Sequence, residues 1–314
     1  MQIEKGWERL AGLVIMAALI TGGGWLLMHN GVYGLALFVM IPVIIGALAE
    51  CVRKSATSID AAKIGALTLA VANISLLALG MEGLICIAMS LPLTVPLGVI
   101  GALFIHAARQ SRVPGQGTTA FLLLLPLSLG SLGFDLTAKP TVFEVRTSIE
   151  IAALPEQVWK YVVSFPEMAP PEEWSFRAGV AYPERADISG SGMDATRYCV
   201  LSTGPLVEPI TIWDEPRLLQ FRVTESPASM HEWSPYASVT PKHLHGYLVS
   251  KQGQFRLTPL ANGHTLLEGT SWYQHGLWPS QYWRLWSDPI IHQIHLRVLT
   301  HIRTLAEADN MVGR

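Results

Sequence analysis

Three side chains near the C-terminus have the spacing to do chemistry together. Asp288, His292 and His295 follow at intervals of four and three in "WSDPIIHQIHLRVLTHIR", residues 286–303. On a helix such intervals bring side chains to one face. Asp-x3-His-x2-His offers one carboxylate and two imidazoles to a single ion, a competent set for zinc. The same histidines could serve as polar anchors for a ligand head group, or as partly buried groups held by hydrogen bonds. At about 100° per residue, Ile291, Ile294, Val298, Ile302 and Leu305 form an apolar stripe, with Asp288, His292, His295 and Leu299 along its edge. Arg297 lies opposite. His295 and Leu299 therefore border whatever surface this helix covers, with Trp283 and Trp286 ahead of them. Ser287-Asp288-Pro289 reads as an N-cap and a first-turn proline, which gives Asp288 a structural role and predicts a helix break near 287.

Other candidates are scattered. "MHEWSPY" (230–236) and "KHLHGY" (242–247) carry His231, Glu232, His243 and His245. The three histidines could converge with those of the helix on a metal. Glu232 could act as an acid or base if buried, or as a polar ligand contact. No nucleophile elbow, Cys–His pair or phosphate-cradling loop is visible, and "GSG" at 190–192 is a hairpin turn. Cys51, Cys86 and Cys199 make neither a disulfide framework nor a thiolate metal site.

The elements that must position these residues fall into two unlike halves. Charged residues are 15% of the 314, against roughly 25% in ordinary soluble domains. Residues 1–139 hold 8 Lys/Arg and 6 Asp/Glu, and the other 175 residues hold 14 and 18. The acidic balance of the second half gives no support to nucleic-acid binding, which needs clustered cations.

Five apolar stretches run over 10–28, 31–50, 62–80, 83–107 and 118–136. Each is near the roughly 20 residues needed to cross a bilayer. The first lacks a small-residue cleavage site and reads as a retained helix. Lys5, Arg9, Arg53, Lys54, Lys63, Arg109 and Arg112 all fall on one side of the resulting topology. That side is cytoplasmic by the positive-inside rule. The expectation is then a cytoplasmic N-terminus, an integral protein of the inner or plasma membrane, and everything after about residue 137 on the non-cytoplasmic side; the fourth and fifth stretches forming one re-entrant unit would reverse that placement. Asn73 reads as an inter-helix hydrogen-bonding group. Glu82 reads as an interfacial carboxylate at a helix start, or as a proton or ligand contact. Pro92 and Pro96 predict a kinked or broken fourth span.

The second half opens on an alternating strand in "FEVRTSIEIAAL" (143–154), with Val145, Thr147, Ile149 and Ile151 on one face. Pro155 then starts a short helix, "PEQVWKYVVSF". Strand-like runs follow, broken by turn signals, including a hairpin around "ANGH", and a helical stretch over 279–308 closes the chain. The pieces "VRTSIEIAALPEQVWKYVVSFPE" and "VEPITIWDEPRLLQFRV" and the terminal helix resemble the START-like, or SRPBCC, superfamily of polyketide cyclase/dehydrase and lipid-transport-like domains. The membrane half resembles only the membrane-fused members of that superfamily.

The expected fold class is α+β. A transmembrane helical bundle of about five spans fills residues 1–138. A helix-grip domain fills 143–309, a curved antiparallel sheet around a long C-terminal helix. The resemblance implies a cavity between sheet and helix that binds a lipid or other hydrophobic small molecule, without a cofactor and without obligatory covalent chemistry. Its expected contacts are His295, His292, Asp288, Trp283, Leu299 and Glu232. Asp288, His292 and His295 are the alternative metal set of a cyclase or metal-assisted hydrolase. A structural subunit of a membrane complex, with a membrane-protein partner, is the third reading. The aromatic group Trp272, Tyr273, Trp278, Tyr282, Trp283 and Trp286 serves either core packing or a rim touching the bilayer. The gap of about six residues after Leu136 keeps the domain close to the membrane surface.

Overall fold

The computed structural model describes residues 22–111, 115–236 and 241–312. Four helices among them are long and apolar enough to cross a membrane: Ala36–Arg53, Ser58–Ala78, Leu84–Gln110 and Gln116–Thr137. Five were expected. The remaining stretch, 10–28, lies mostly outside the described residues. A π-helical turn, Ala36–Met40, leads into α1 (Ile41–Arg53), and α2 (Ser58–Ala78), α3 (Leu84–Gln110) and α4 (Gln116–Thr137) follow.

The chain divides into two compact units. The first holds the chain up to Lys139 together with two returning segments, Glu232–His243 and Leu277–Tyr282. The second holds Pro140–His231, Leu244–Gly276 and the chain from Trp283 onward.

In the first unit, small residues let backbones touch. A Cβ on Gly46 would stand 1.9 Å from the Gly98 carbonyl oxygen, and one on Gly101 would stand 2.0 Å from that of Val43. Helices α1 and α3 thus pack main chain on main chain, the arrangement favoured where lipid supplies no hydrophobic drive between helices. Helix α3 runs unbroken through Pro92 and Pro96. The expected inter-helix contact of Asn73 is present: its Oδ1 lies 3.5 Å from Ser90 Oγ on α3. Glu50 is fully buried, and it is compensated by Arg109 at 2.7 Å and His106 at 3.3 Å.

The second unit is a seven-stranded antiparallel sheet with one long helix. Its elements are β1 (Val142–Ile151), α5 (Pro155–Val163), the one-turn α6 (Trp174–Arg177), β2 (Pro183–Ser189), β3 (Thr196–Leu201), β4 (Gly204–Asp214), β5 (Leu218–Arg222), β6 (Leu248–Pro259), β7 (Thr265–His275) and α7 (Ser280–Val312). The strand order is β1-β7-β6-β5-β4-β3-β2, and the sheet curls into a half-barrel. In β1 the expected face is the buried one, with Val145, Thr147 and Ile151 inward. The core joins Val298, Leu299, Ile302 and Ala306 of α7 to Val158, Trp159 and Val162 of α5 and to the sheet residues Leu219, Phe221, Leu257 and Leu267.

The predicted break near 287 does not occur. Helix α7 is continuous over 33 residues with Pro289 inside it. Asp288 is therefore no N-cap. Its carboxylate accepts from the Tyr273 hydroxyl and from Arg284 at 2.9 Å. Ser287 donates to the Trp283 carbonyl at 3.3 Å. An interior proline costs a helix roughly 3 kcal/mol. Burial of the stripe from Val298 to Ala306, together with these side-chain bonds, offsets that cost.

Candidate ligand-binding site

A cavity of about 190 Å³ lies between the sheet and α7, wholly within the second unit. Its sheet wall includes Cys199, Leu206, Phe221 and Phe255, and its helix wall includes Ile291, Ile294 and Val298. Ser226–Met230, which follows β5, covers part of it. The Phe221 ring lies over Gly253 of the neighbouring strand, where a Cβ would stand 2.5 Å from the ring. Only glycine at 253 leaves that ring its place on the wall.

The lining is largely apolar, with Ser226, Ser229, Ser250, Gln254, Thr270 and Tyr273 among its polar residues, and two further polar arrangements in it bear on function. The first is an ion pair. Arg197 on β3 and Glu208 on β4 are register partners, and Arg197 Nη1 donates to Glu208 Oε2. The two side chains are 2% and 4% exposed. The guanidinium also donates to the Val163 carbonyl at 3.2 Å and sits 5.5–5.6 Å from the ring centres of Phe165, Phe221 and Phe255. Burial pushes the Glu208 carboxyl up, and Arg197 opposes that shift. Burial likewise pushes the Cys199 thiol up to about 12, so Cys199 stays a neutral wall residue.

The second group is a hydrogen-bonded relay. His295 Nε2 is 2.8 Å from Ser271 Oγ, and its Nδ1 is 3.1 Å from Thr147 Oγ1. His292 Nδ1 is 2.7 Å from the same Thr147 oxygen. One hydroxyl carries one proton, so Thr147 donates to one imidazole and accepts from the other. If it donates to His295, the His295 Nε2–H points at Ser271 and frees the serine proton for a ligand. If it accepts from His295, Ser271 donates to His295 and turns a lone pair to the cavity. The relay thus runs from the exposed His292 to the cavity wall and can present a donor or an acceptor there. Burial, with His292 in support, pushes His295 down to about 4, so it is a neutral imidazole at pH 7.

The expected contacts are distributed unevenly. His295 and Leu299 line the cavity. His292 reaches it only through Thr147. Asp288 turns to Tyr273 and Arg284 rather than joining the two histidines. Trp283 is buried at the start of α7 and does not line the cavity. Glu232 belongs to the first unit, where its carboxylate accepts from the Ile85 and Cys86 amides at 3.2 Å. His231 and His245 are exposed, and His243 belongs to the first unit, so these three do not join the helix histidines. Of the aromatic group, Tyr273 and Trp283 are core residues, while Trp278 packs edge-on against Phe134 in the first unit.

Arg197, Glu208, Thr147 and Ser271 were missed as site residues. The available signal was alternation: Arg197, Cys199 and Leu201 share a face in β3, and a cation between apolar same-face neighbours points inward.

Residues 142–274 match the family described as polyketide cyclase / dehydrase and lipid transport. That match lies within the second half of the chain, and apolar helices that fit a membrane region precede it. No curated protein matches the chain. Similar solved structures include the truncated norcoclaurine synthase from Thalictrum flavum, at 12% identity and TM-score 0.34, covering 54% of this chain and 96% of that one. The ZhuI aromatase/cyclase from Streptomyces sp. R1128 is similar at 13% identity and TM-score 0.33, covering 53% and 94%.

Proposed function

We propose that the START-like domain binds one hydrophobic small molecule with a polar end, held at a membrane by the N-terminal helices, and that it stores or transfers that molecule. The observation that carries this reading is the oily cavity with the Ser271–His295 relay in its wall. Apolar burial supplies affinity at about 25 cal/mol per Å². The relay fixes orientation by pairing with one hydroxyl or carbonyl. Size narrows the class: about 190 Å³ is below the roughly 300–1,000 Å³ of drug-sized sites. That suits a ring system or a single short chain, such as an isoprenoid, better than a two-chain lipid.

The test is mass spectrometry of organic extracts from the full-length chain purified in detergent. A single hydrophobic species is expected, and it should be lost when Leu206→Trp fills the cavity. An unaltered extract from that variant would sink the reading. A second reading, proton transfer to a bound substrate, is favoured by the path from exposed His292 to the cavity. Conversion of the extracted compound on incubation, abolished in His295→Gln, would select it.

A further inference from the structure

The first unit contains a second chemical group, remote in sequence and independent of the cavity. Glu82 lies in the connection between α2 and α3, Cys86 in the first turn of α3, and His243 in the returning segment. Cys86 Sγ is 2.8 Å from His243 Nε2, and the other ring nitrogen is 3.7 Å from Glu82 Oε2. This is a Cys–His pair that the sequence conceals, because its members are 157 residues apart. One donor atom from each of the three residues lies within 4.8 Å of the others.

Two observations point to a missing partner. The Glu82 and His243 side chains are each only 9% exposed. Glu82 Oε2 and His243 Nδ1 face each other, yet neither has a hydrogen-bond partner among the described residues. Buried polar atoms left so are rare and costly. Tyr33 holds the other Glu82 oxygen at 3.4 Å. Among the described residues no Lys or Arg pairs with Glu82, so an ionised carboxylate there would lack a countercharge.

We propose that Glu82, Cys86 and His243 form a site for a divalent transition-metal ion, zinc above all, that clips the returning segment to the α2–α3 hairpin. Thiolate, imidazole and carboxylate form a borderline-soft donor set of the kind zinc takes in tetrahedral sites. Zinc displaces the thiol proton, and the cation supplies the countercharge that Glu82 lacks. With Zn–S near 2.3 Å and Zn–N near 2.0–2.1 Å, sulfur and nitrogen stand about 3.5 Å apart around tetrahedral zinc. The present 2.8 Å contact opens to that separation by less than about 1 Å. Glu232 supports the site from outside. It accepts from the Cys86 amide and fixes the first turn of α3, and its approach needs Gly83, where a Cβ would lie 2.0 Å from Glu232 Oε2. Solvent would supply the fourth donor.

The experiment uses the full-length, tag-free chain in detergent, stripped with chelator, reloaded with zinc or cobalt(II) and passed through a desalting column. Elemental analysis should find one zinc per chain. The cobalt form should show a thiolate-to-metal charge-transfer band and the intense visible bands of tetrahedral cobalt. Cys86→Ser should abolish the charge-transfer band and weaken zinc affinity by more than the roughly 10–100-fold that outer-sphere partners are worth. Glu82→Gln should weaken zinc while retaining the band. If Cys86→Ser does not fold, Cys51→Ser and Cys199→Ala in the loaded protein decide, because both should leave the band unchanged. Retention of less than about a tenth of a zinc per chain, or zinc bound without a thiolate band, would overturn the proposal. Neither outcome bears on the cavity.

Discussion

His295 is where the cavity, the relay and the titration of one side chain meet. Its imidazole is pushed from the usual histidine value to about 4 by burial, with His292 adding to the effect. The unfolded chain therefore binds a proton near pH 6.5 that the folded chain refuses until about pH 4. Stability rises with pH wherever the unfolded state holds more protons. The contribution of His295 is thus fully present above about pH 6.5 and is lost as pH falls towards 4. Allowing for its partial exposure, that loss is about 2–3 kcal/mol. His301 is lowered in the same sense by burial, so it adds to the slope. His295→Gln should flatten part of the loss between pH 6.5 and 4, read as the thermal midpoint of variant against wild type at each pH. A variant profile parallel to wild type would mean that the imbalance lies elsewhere. Arg197 and Glu208 behave differently because each compensates the other. Buried pairs of this kind add little net stability, but losing one partner strands the other at a cost of about 3–5 kcal/mol.

At the scale of elements, the first unit depends on close backbones. Gly46 and Gly98 bring α1 and α3 together at a distance where a methyl group would meet a carbonyl oxygen at 1.9 Å. Gly46→Leu should therefore separate the two helices, beyond the 1–3 kcal/mol of ordinary overpacking because the obstacle is main chain. The expected result is loss of the monodisperse species on gel filtration in detergent, while Gly130→Leu on α4, with open space at its Cβ, stays wild-type. Such contacts were only partly legible beforehand. The spans could be read because burial in lipid demands a long apolar run, and β1 could be read because one buried face imposes period two. Helix α7 was misjudged at Pro289, because the cost of a proline is local while the burial that outweighs it comes from the sheet. Of the site, His295 and Leu299 were readable as the edge of a stripe. The ion pair was not, since a cation in a strand is assigned outward unless its cross-strand carboxylate is known. Cys86 and His243 escaped for a related reason: nothing local relates residues 157 apart.

For the whole molecule, we propose that the basic loops put the second unit on the non-cytoplasmic side of a membrane, with or without the first apolar stretch as a span. Arg53, Lys54 and Lys63 flank the α1–α2 connection, and Arg109 and Arg112 flank the α3–α4 connection. The connections around Asn30 and Met81 carry no Lys or Arg. On this proposal, counting from α1, the positive-inside rule would put Thr137 opposite the cytoplasm whether four helices cross or five do. An added span upstream moves only the N-terminus. Packing inside the first unit agrees: Tyr236 donates to the Ala78 carbonyl and Lys242 to that of His29, so the returning segment sits on the two connections that lack basic charge. The prediction is that a reporter enzyme active only after export, fused after residue 312, gives full activity, whereas the same reporter fused in the 53–58 connection gives none. Reversal of that pattern would place the domain in the cytoplasm. The cavity would then serve cytoplasmic ligands, and the Cys86 site would face a reducing, zinc-poor compartment in which occupancy has to compete with abundant thiols.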